Sequence, residues 1–356
     1  MAFDSNSFVL DAALQLRSGT LKMINQTQKT NFGSISNVLF GFPVTKWWRT
    51  SLGVFPVSSV GYNIQEVQQV EGIGNTLLNY QGSGGLNKAY IGNAFALGKN
   101  FAIGANVSYI FGTIDKTRTV TFPDSVYYTN TCMKSSAQLS KVNYDFGIMY
   151  HKIFKSGYFI QAGITFTPSQ TLDANADNIV YTFTRSIVND RDIPNDTISF
   201  SQGASSSVKL PTSVGAGVMA GNGNRWLAMA DVNWAKWSEF SYLGVNGGLK
   251  NNLRISVGGQ FRQSPLDMGK YWQRVYFRTG LRYEESYLDI RNSKLNDFGI
   301  SFGIGLPMKK SRSTINLAFE AGTQGTTANG LVRENYFRFT LGTALQERWF
   351  IKRRFN

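Results

Sequence analysis

The sequence predicts an all-β fold, a transmembrane antiparallel up-and-down β-barrel of about fourteen strands, with residues 1–356 forming a single domain. Three observations carry this. Apolar residues recur with period two along segments of about ten residues or more, the length a tilted strand needs to cross a bilayer. No apolar run approaches the ~18 residues of a membrane helix, and no segment keeps a helical period. The connections alternate between short turns and longer polar loops, as they do in outer-membrane barrels. A soluble sandwich, with both ends in one solvent, has no reason to keep that order.

The first strand is expected over Ser7 to Arg17, where Phe8, Leu10, Ala12, Leu14 and Leu16 share a face, and the second over Asn31 to Phe42. A corner at Pro43 to Trp47 leads to the third, Arg49 to Gln65. The fourth covers Thr76 to Leu97, with Gly82-Ser83-Gly84-Gly85 marking a bend or bulge. The fifth, Phe101 to Phe122, alternates most cleanly, setting Phe101, Ile103, Ala105, Val107, Tyr109 and Phe111 against Ala102, Gly104, Asn106, Ser108 and Ile110. The sixth runs from Ser136 to Phe154 and the seventh from Gly157 to Thr167, with a continuation toward Thr184 left open. Strands eight and nine form a hairpin within Lys209 to Leu243. Leu210, Thr212, Val214, Ala216 and Val218 share one face, Gly221-Asn222-Gly223-Asn224 supply the turn, and Trp226, Ala228, Ala230, Val232 and Trp234 resume the alternation. The remaining five are Asn251 to Gln263, Lys270 to Asp289, Lys294 to Leu306, Ser313 to Gly325 and Asn335 to Gln346.

Every second connection is short: Pro43 to Trp47, Gly98 to Asn100, Lys155-Ser156, Gly221 to Asn224, Ser264 to Gly269 and Pro307 to Arg312. The others are expected to be loops: Ser18 to Thr30, Glu66 to Asn75, Pro123 to Lys134, Pro168 to Val208, Gly244 to Lys250 and Thr326 to Arg333, with Arg291 to Ser293 a short exception on that side. In lipid no strand edge can stay unpaired, so the first and last strands should pair and both chain ends should lie on the short-turn side. The closing Trp349-Phe350 is similar to the aromatic C-terminal signal of such barrels.

Composition narrows the function classes. A net charge of +14 invites nucleic acid, but the basic residues are scattered rather than gathered on one helix or stripe, and no nucleic-acid partner is expected. Lys352-Arg353-Arg354 reads as a solvated or headgroup-facing end. One cysteine, Cys132, and one histidine, His151, leave no disulfide framework, metal cluster or convincing catalytic triad. No cofactor, metal or enzymatic reaction is expected. Met1-Ala2-Phe3-Asp4 lacks the basic start and apolar core of a signal peptide.

The hairpin also carries a family resemblance. Leu210, Pro211, Gly215, Trp226, Leu227, Asp231, Trp234, Trp237, Ser238 and Phe240 form a pattern that resembles the FadL/TodX family of outer-membrane hydrophobic-compound transporters, with further support from Arg254 to Pro265. The resemblance implies a multi-pass location in the outer membrane and a hydrophobic small molecule or lipid, such as a long-chain fatty acid, as the molecule carried. It also implies an N-terminal hatch, which is missing ahead of the first strand at Ser7 and is expected to be lost to truncation. In that family a kink in the third strand opens the wall sideways. Here Gly53, Pro56, Ser58, Ser59 and Gly61 are the matching candidates, since proline removes a ladder donor.

Assigning the apolar set outward sends an arginine-rich set into the lumen. Arg254, Arg262, Arg278, Arg282 and Arg338 are candidate ligand contacts for an anionic headgroup. Arg274, Asn143, Asp145, His151, Asp231, Asn233, Glu284, Asn316 and Glu320 are expected to share the inward face. A salt-bridged lattice that stiffens the wall accounts for the same arginines and is the favoured alternative. The function expected is passive transport, with loops such as Pro168 to Val208 collecting the ligand. Two rivals are a polar porin and a structural barrel subunit docked to other outer-membrane proteins.

Overall fold

The structure, a computed structural model, describes residues 7–23, 27–125, 127–185, 191–222, 225–264, 269–309 and 311–348. Met1 to Asp4, Gly223, Asn224, Pro265, Trp349-Phe350 and Lys352 to Arg354 lie outside the described residues. In chain order the strands are β1 (Ser7–Lys22), β2 (Thr27–Pro43), β3 (Trp48–Val70), β4 (Gly74–Leu97), β5 (Phe101–Thr121), β6 (Asn130–Ile153), β7 (Tyr158–Thr167), β8 (Gln170–Arg185), β9 (Asp192–Leu210), β10 (Ser213–Asn222) and β11 (Trp226–Ala235). There follow β12 (Ser241–Tyr242), β13 (Val245–Asn246), β14 (Asn252–Phe261), β15 (Tyr276–Glu285), β16 (Asp289–Ile290), β17 (Ser293–Lys294), β18 (Asp297–Pro307), β19 (Thr314–Gly325) and β20 (Arg333–Arg348).

The wall is a closed antiparallel barrel of 14 strands. It runs β1 to β7, then β10, β11, β14, β15, β18, β19 and β20, and β20 pairs back onto β1 from Ser7↔Arg348 to Lys22↔Arg333. No helix among the described residues is long and apolar enough to span a membrane. Closure brings Ser7 and Arg348 together on the short-turn side, as the physics of unpaired edges requires. The ten-residue strands β7, β10, β11, β14 and β15 set the height of the lipid-crossing layer. Facing outward at that height are Ile103, Val107, Phe146, Ile148, Ile164, Val218, Ile255, Val257, Leu281, Phe302 and Phe319, each substantially exposed. Apolar side chains with no protein cover are what a hydrocarbon surround demands.

Several expected loops are strand instead. β1 and β2 continue to Lys22 and from Thr27, so Ser18 to Thr30 is mostly paired wall. Beyond a bulge at Val57, β3 and β4 stay in register to Val70↔Gly74, which shrinks Glu66 to Asn75 to a tight turn. Pro168 to Val208 is the largest correction, because most of it is the β8/β9 hairpin. Its polar composition disguised two strands that stand above the membrane, where only the inner face at their foot, with Leu172, Ala174 and Val208, is apolar. Pro168 and Pro211 sit at the same level and break the chain between β7 and β8 and between β9 and β10. The eleventh predicted strand was too long as well: Tyr271–Arg274 is a short helix, so Arg274 lies outside the sheet. Gly221 and Asn222 belong to β10 rather than to its turn. The exception at Arg291 to Ser293 is a genuine small hairpin, with Arg291 and Asn292 both at positive φ between β16 and β17.

One seam of the barrel is incomplete. β2 and β3 pair only from Pro43↔Arg49 to Val38↔Val54, while β1/β2 and β3/β4 continue far beyond that level. Each strand carries an extra residue just past the last pair, Ser36 in β2 and Val57 in β3, where the registers with β1 and β4 slip. A bulge bends the strand that bears it. Two bulges facing each other turn β2 and β3 apart.

Candidate functional site: a layered lumen beside a parted wall

Small inward residues keep the short-turn half of the lumen wide. Gly92, Gly104, Gly147 and Gly163, on β4 to β7, line a space of about 760 Å³ together with Asp11, Asn106, Asp145 and Thr165. Lys88 Nζ reaches Asp145 at 2.6 Å, the Thr167 hydroxyl donates to the same carboxylate, and Asn143 donates to both Asp145 and the Ser108 hydroxyl. His151 lies at the foot of β6, its ring near Phe159, with no cluster of metal ligands among the described residues.

Above this polar floor sits an apolar layer. Leu86, Ile110, Leu139, Leu172, Ala174 and Val208 are buried together, and Phe240, Tyr242 and Leu243 of the loop after β11 pack against them. That loop is anchored, because β12 pairs with Lys209 and Val208 while Trp237 stacks on Tyr287 at 4.4 Å. The Lys116 ammonium lies 4.0 Å from the centre of the Tyr242 ring, and burial, assisted by Arg118, pushes it below the usual lysine range. The layer meets the parted seam directly: Ser58, the first residue after the β3 bulge, pairs with Leu86, whose backbone N–H donates to the Ser58 hydroxyl.

The five arginines do not form one cluster. In the half of the wall away from the short turns, Arg282 donates to Asp297 at 3.1 Å, Glu320 at 2.9 Å and Glu284 at 3.3 Å. Arg254 also holds Glu284, Arg338 holds Glu320, and Arg17 holds Glu334 while covering the Tyr336 ring. The Tyr336 hydroxyl donates to Asp297 at the centre of this lattice. Near the short turns, Arg262 donates to the Tyr276 hydroxyl, and Arg278 donates to Gln260 and Asn316 at 2.8 and 2.7 Å, both neutral acceptors. Arg17, Glu334 and Tyr336 escaped the sequence reading because their segments looked like loop or strand margin.

Of the residues flagged in the third strand, Gly53 lies inside the last paired stretch with β2, and a side chain there would press on Leu39 and Tyr90. Pro56 and Ser58 flank the bulged Val57, and Ser59 and Gly61 follow on the stretch that pairs with β4 alone. In the sequence, proline is what singles out this stretch. Ser36 and the apolar layer carry no such mark, since a bulge built from ordinary residues and an inward leucine among outward ones leave no distinct local pattern.

Fold and site together define a transmembrane barrel of the outer-membrane type. Similar in fold are the structure titled CymD monoaromatic hydrocarbon channel (TM-score 0.58, 12% identity, 96% of this chain and 89% of that one) and the Pseudomonas putida toluene transporter TodX (TM-score 0.57, 14% identity, 97% and 90%). A Pseudomonas aeruginosa FadL homologue is similar too (TM-score 0.57, 12% identity, 97% and 90%). Among curated proteins, none matches in sequence. The family model described as BamG matches residues 4–356, and the chain belongs to the BamG family.

Proposed function

We propose that the barrel passes hydrophobic small molecules across the outer membrane without chemistry, releasing them sideways where β2 and β3 part. The observation that carries this is the coincidence of three features at one level: the end of the β2/β3 ladder at Val38↔Val54, the Pro56-Val57 bulge, and the apolar layer reached through Leu86. An apolar solute leaving an apolar layer toward lipid avoids the desolvation that a polar route would impose on the wall. The similarity to a hydrocarbon channel and a toluene transporter supports a small apolar compound; a lipid such as a fatty acid fits the same path. The polar porin is disfavoured by the packed apolar layer, which would dewet a water column.

The test is a reversible staple. Asn37→Cys with Phe55→Cys, in a Cys132→Ser background, places thiols on the first two positions beyond the last β2/β3 pair. In proteoliposomes the oxidised protein should pass pyrene at least tenfold more slowly than the reduced protein. Equal flux in both states would exclude the lateral route.

A second reading, a structural barrel subunit that docks other outer-membrane proteins, is favoured by a different observation: β3 to β6, β8 and β9 rise beyond the lipid-crossing layer as one open sheet.

A further inference from the structure

That projecting sheet has two free edges, and they are built differently. Along β9 the pairing with β8 slips after Ala176, Val180 and Tyr181, and the strand carries Pro194, Asp192 and Asp196. Register breaks, proline and charge are the devices by which edges avoid unwanted pairing. Above its bulge β3 has no register break and no proline, and Glu66 is its single charge. From Ser58↔Leu86 to Val70↔Gly74 it pairs with β4 in unbroken register over roughly a dozen residues, about 40 Å at the rise of a strand. On its other side the ladder with β2 has already ended at Val54, so alternate N–H and C=O groups face outward with no strand to receive them.

This edge exceeds what lateral release needs. Ten residues from Trp48, the length of the lipid-crossing strands, end at Val57, so Ser58 to Val70 stands above the hydrocarbon layer. An exit into lipid uses the foot of the seam and nothing higher.

We infer that the Ser58–Val70 edge of β3 takes an added strand from a different polypeptide, one with apolar residues alternating on one face and a lysine or arginine on that same face. The side chains at the edge specify this chemistry. Val60, Tyr62, Ile64 and Glu66 fall on the inner face of the sheet, opposite Gly84, Gly82, Tyr80 and Leu78, and Ile64 is 56% exposed there. The outer face presents Ser59, Gly61, Asn63, Gln65 and Gln69, with Val67 its one apolar residue. Glu66 accepts from Gln68 Nε2 at 3.0 Å and pairs with no cation among the described residues. In an added strand, the position opposite a lone carboxylate favours a cation. Neither free edge of a second copy supplies it, because Ser58 to Val70 and Asp192 to Ser206 contain no lysine or arginine. Two copies oriented alike in one membrane also present this edge to each other in the same direction, which rules out an antiparallel ladder between them. Strand addition of this kind draws affinity from main-chain hydrogen bonds and specificity from alternate side chains.

The full chain in lipid nanodiscs serves for the test, with three ten-residue peptides alternating valine and threonine as probes. The first places a lysine on the valine face, the second a glutamate there, and the third carries the lysine and a central proline. The lysine peptide should bind at least tenfold tighter than the other two and slow hydrogen exchange along Ser58 to Val70. Glu66→Lys should reverse the preference between the first two peptides. The bulk charge of +14 favours the acidic peptide everywhere, so a preference for lysine cannot come from it. Equal binding of the three peptides, exchange unchanged on β3, a preference that Glu66→Lys leaves in place, or self-association through β3 would each overturn the inference. Because no step concerns pyrene flux, failure here leaves the lateral route standing, and the converse holds.

Discussion

At the scale of single residues the lumen separates arginines that hold carboxylates across the wall from those that do not. Arg282 is 18% exposed and touches three carboxylates that no other single residue could neutralise together. Arg282→Met leaves Asp297 without a cation among the described residues and Glu284 and Glu320 with Arg254 and Arg338 alone, and removal of one partner from a largely buried ion network typically costs about 3–5 kcal/mol. The partial exposure of this network argues for the lower end, about 3 kcal/mol, read as a shift in the urea midpoint of unfolding in lipid. Arg278→Gln should shift the same midpoint by less than about 1 kcal/mol, because its partners Gln260 and Asn316 can bond to another amide. Equal losses for the two variants would mean that the carboxylate lattice is not what stiffens this side of the barrel. The arginines were visible in the sequence as inward positions. Their division into lattice members and outliers was not, since it depends on which strands the closure brings alongside β15.

At the scale of elements, the bulge at Val57 does something that deletion can test. Before it, odd-numbered residues of β3 face inward, as Ser51 and Gly53 do; after it, even-numbered ones such as Tyr62 do, because Pro56 pairs with Asn87 and Ser58 with Leu86. Removing Val57 therefore joins two correctly facing halves into one regular strand. The variant should fold, keep Tyr62 and Ile64 on the inner face, and extend β2/β3 pairing past Val54, seen as new amide protection at Phe55 and Asn37. A barrel that fails to assemble would show instead that the parting itself is required for folding. Elements buried in lipid were legible because one face had to be apolar: the alternation of β5, β10 and β11 located them closely. Elements above the lipid were not. β8 and β9 carry Asn, Asp, Ser and Thr over most of their length, and the alternation of Leu172, Ala174 and Ala176 with Asp173, Asn175 and Asp177 is too brief to mark a strand in so polar a stretch.

For the whole molecule these observations describe two bodies of different stability joined along β3 to β6. The lipid-crossing wall is closed, every strand has a neighbour on each side at that height except where β2 and β3 part, and no water competes for its backbone bonds. The projecting sheet is open at β3 and β9, and most of β9 is exposed along its length. Opening free energies inside one protein range from near zero at exposed edges to the global value in closed cores, and exchange reports each separately. Hydrogen exchange on the full chain in nanodiscs should thus show two tiers. Amides of β7, β10, β14 and β15 should stay protected for days, whereas those of β9 from Asp192 to Ser206 that point away from β8 should exchange within minutes, together with the free edge of β3. The tier boundary should fall near Val57 on β3 and at Pro168 and Pro211 on the neighbouring strands, where the chain breaks between wall and sheet. Uniform protection across that boundary would mean that the sheet is covered at all times by other parts of the same chain, and a free β3 edge could then play no part in binding.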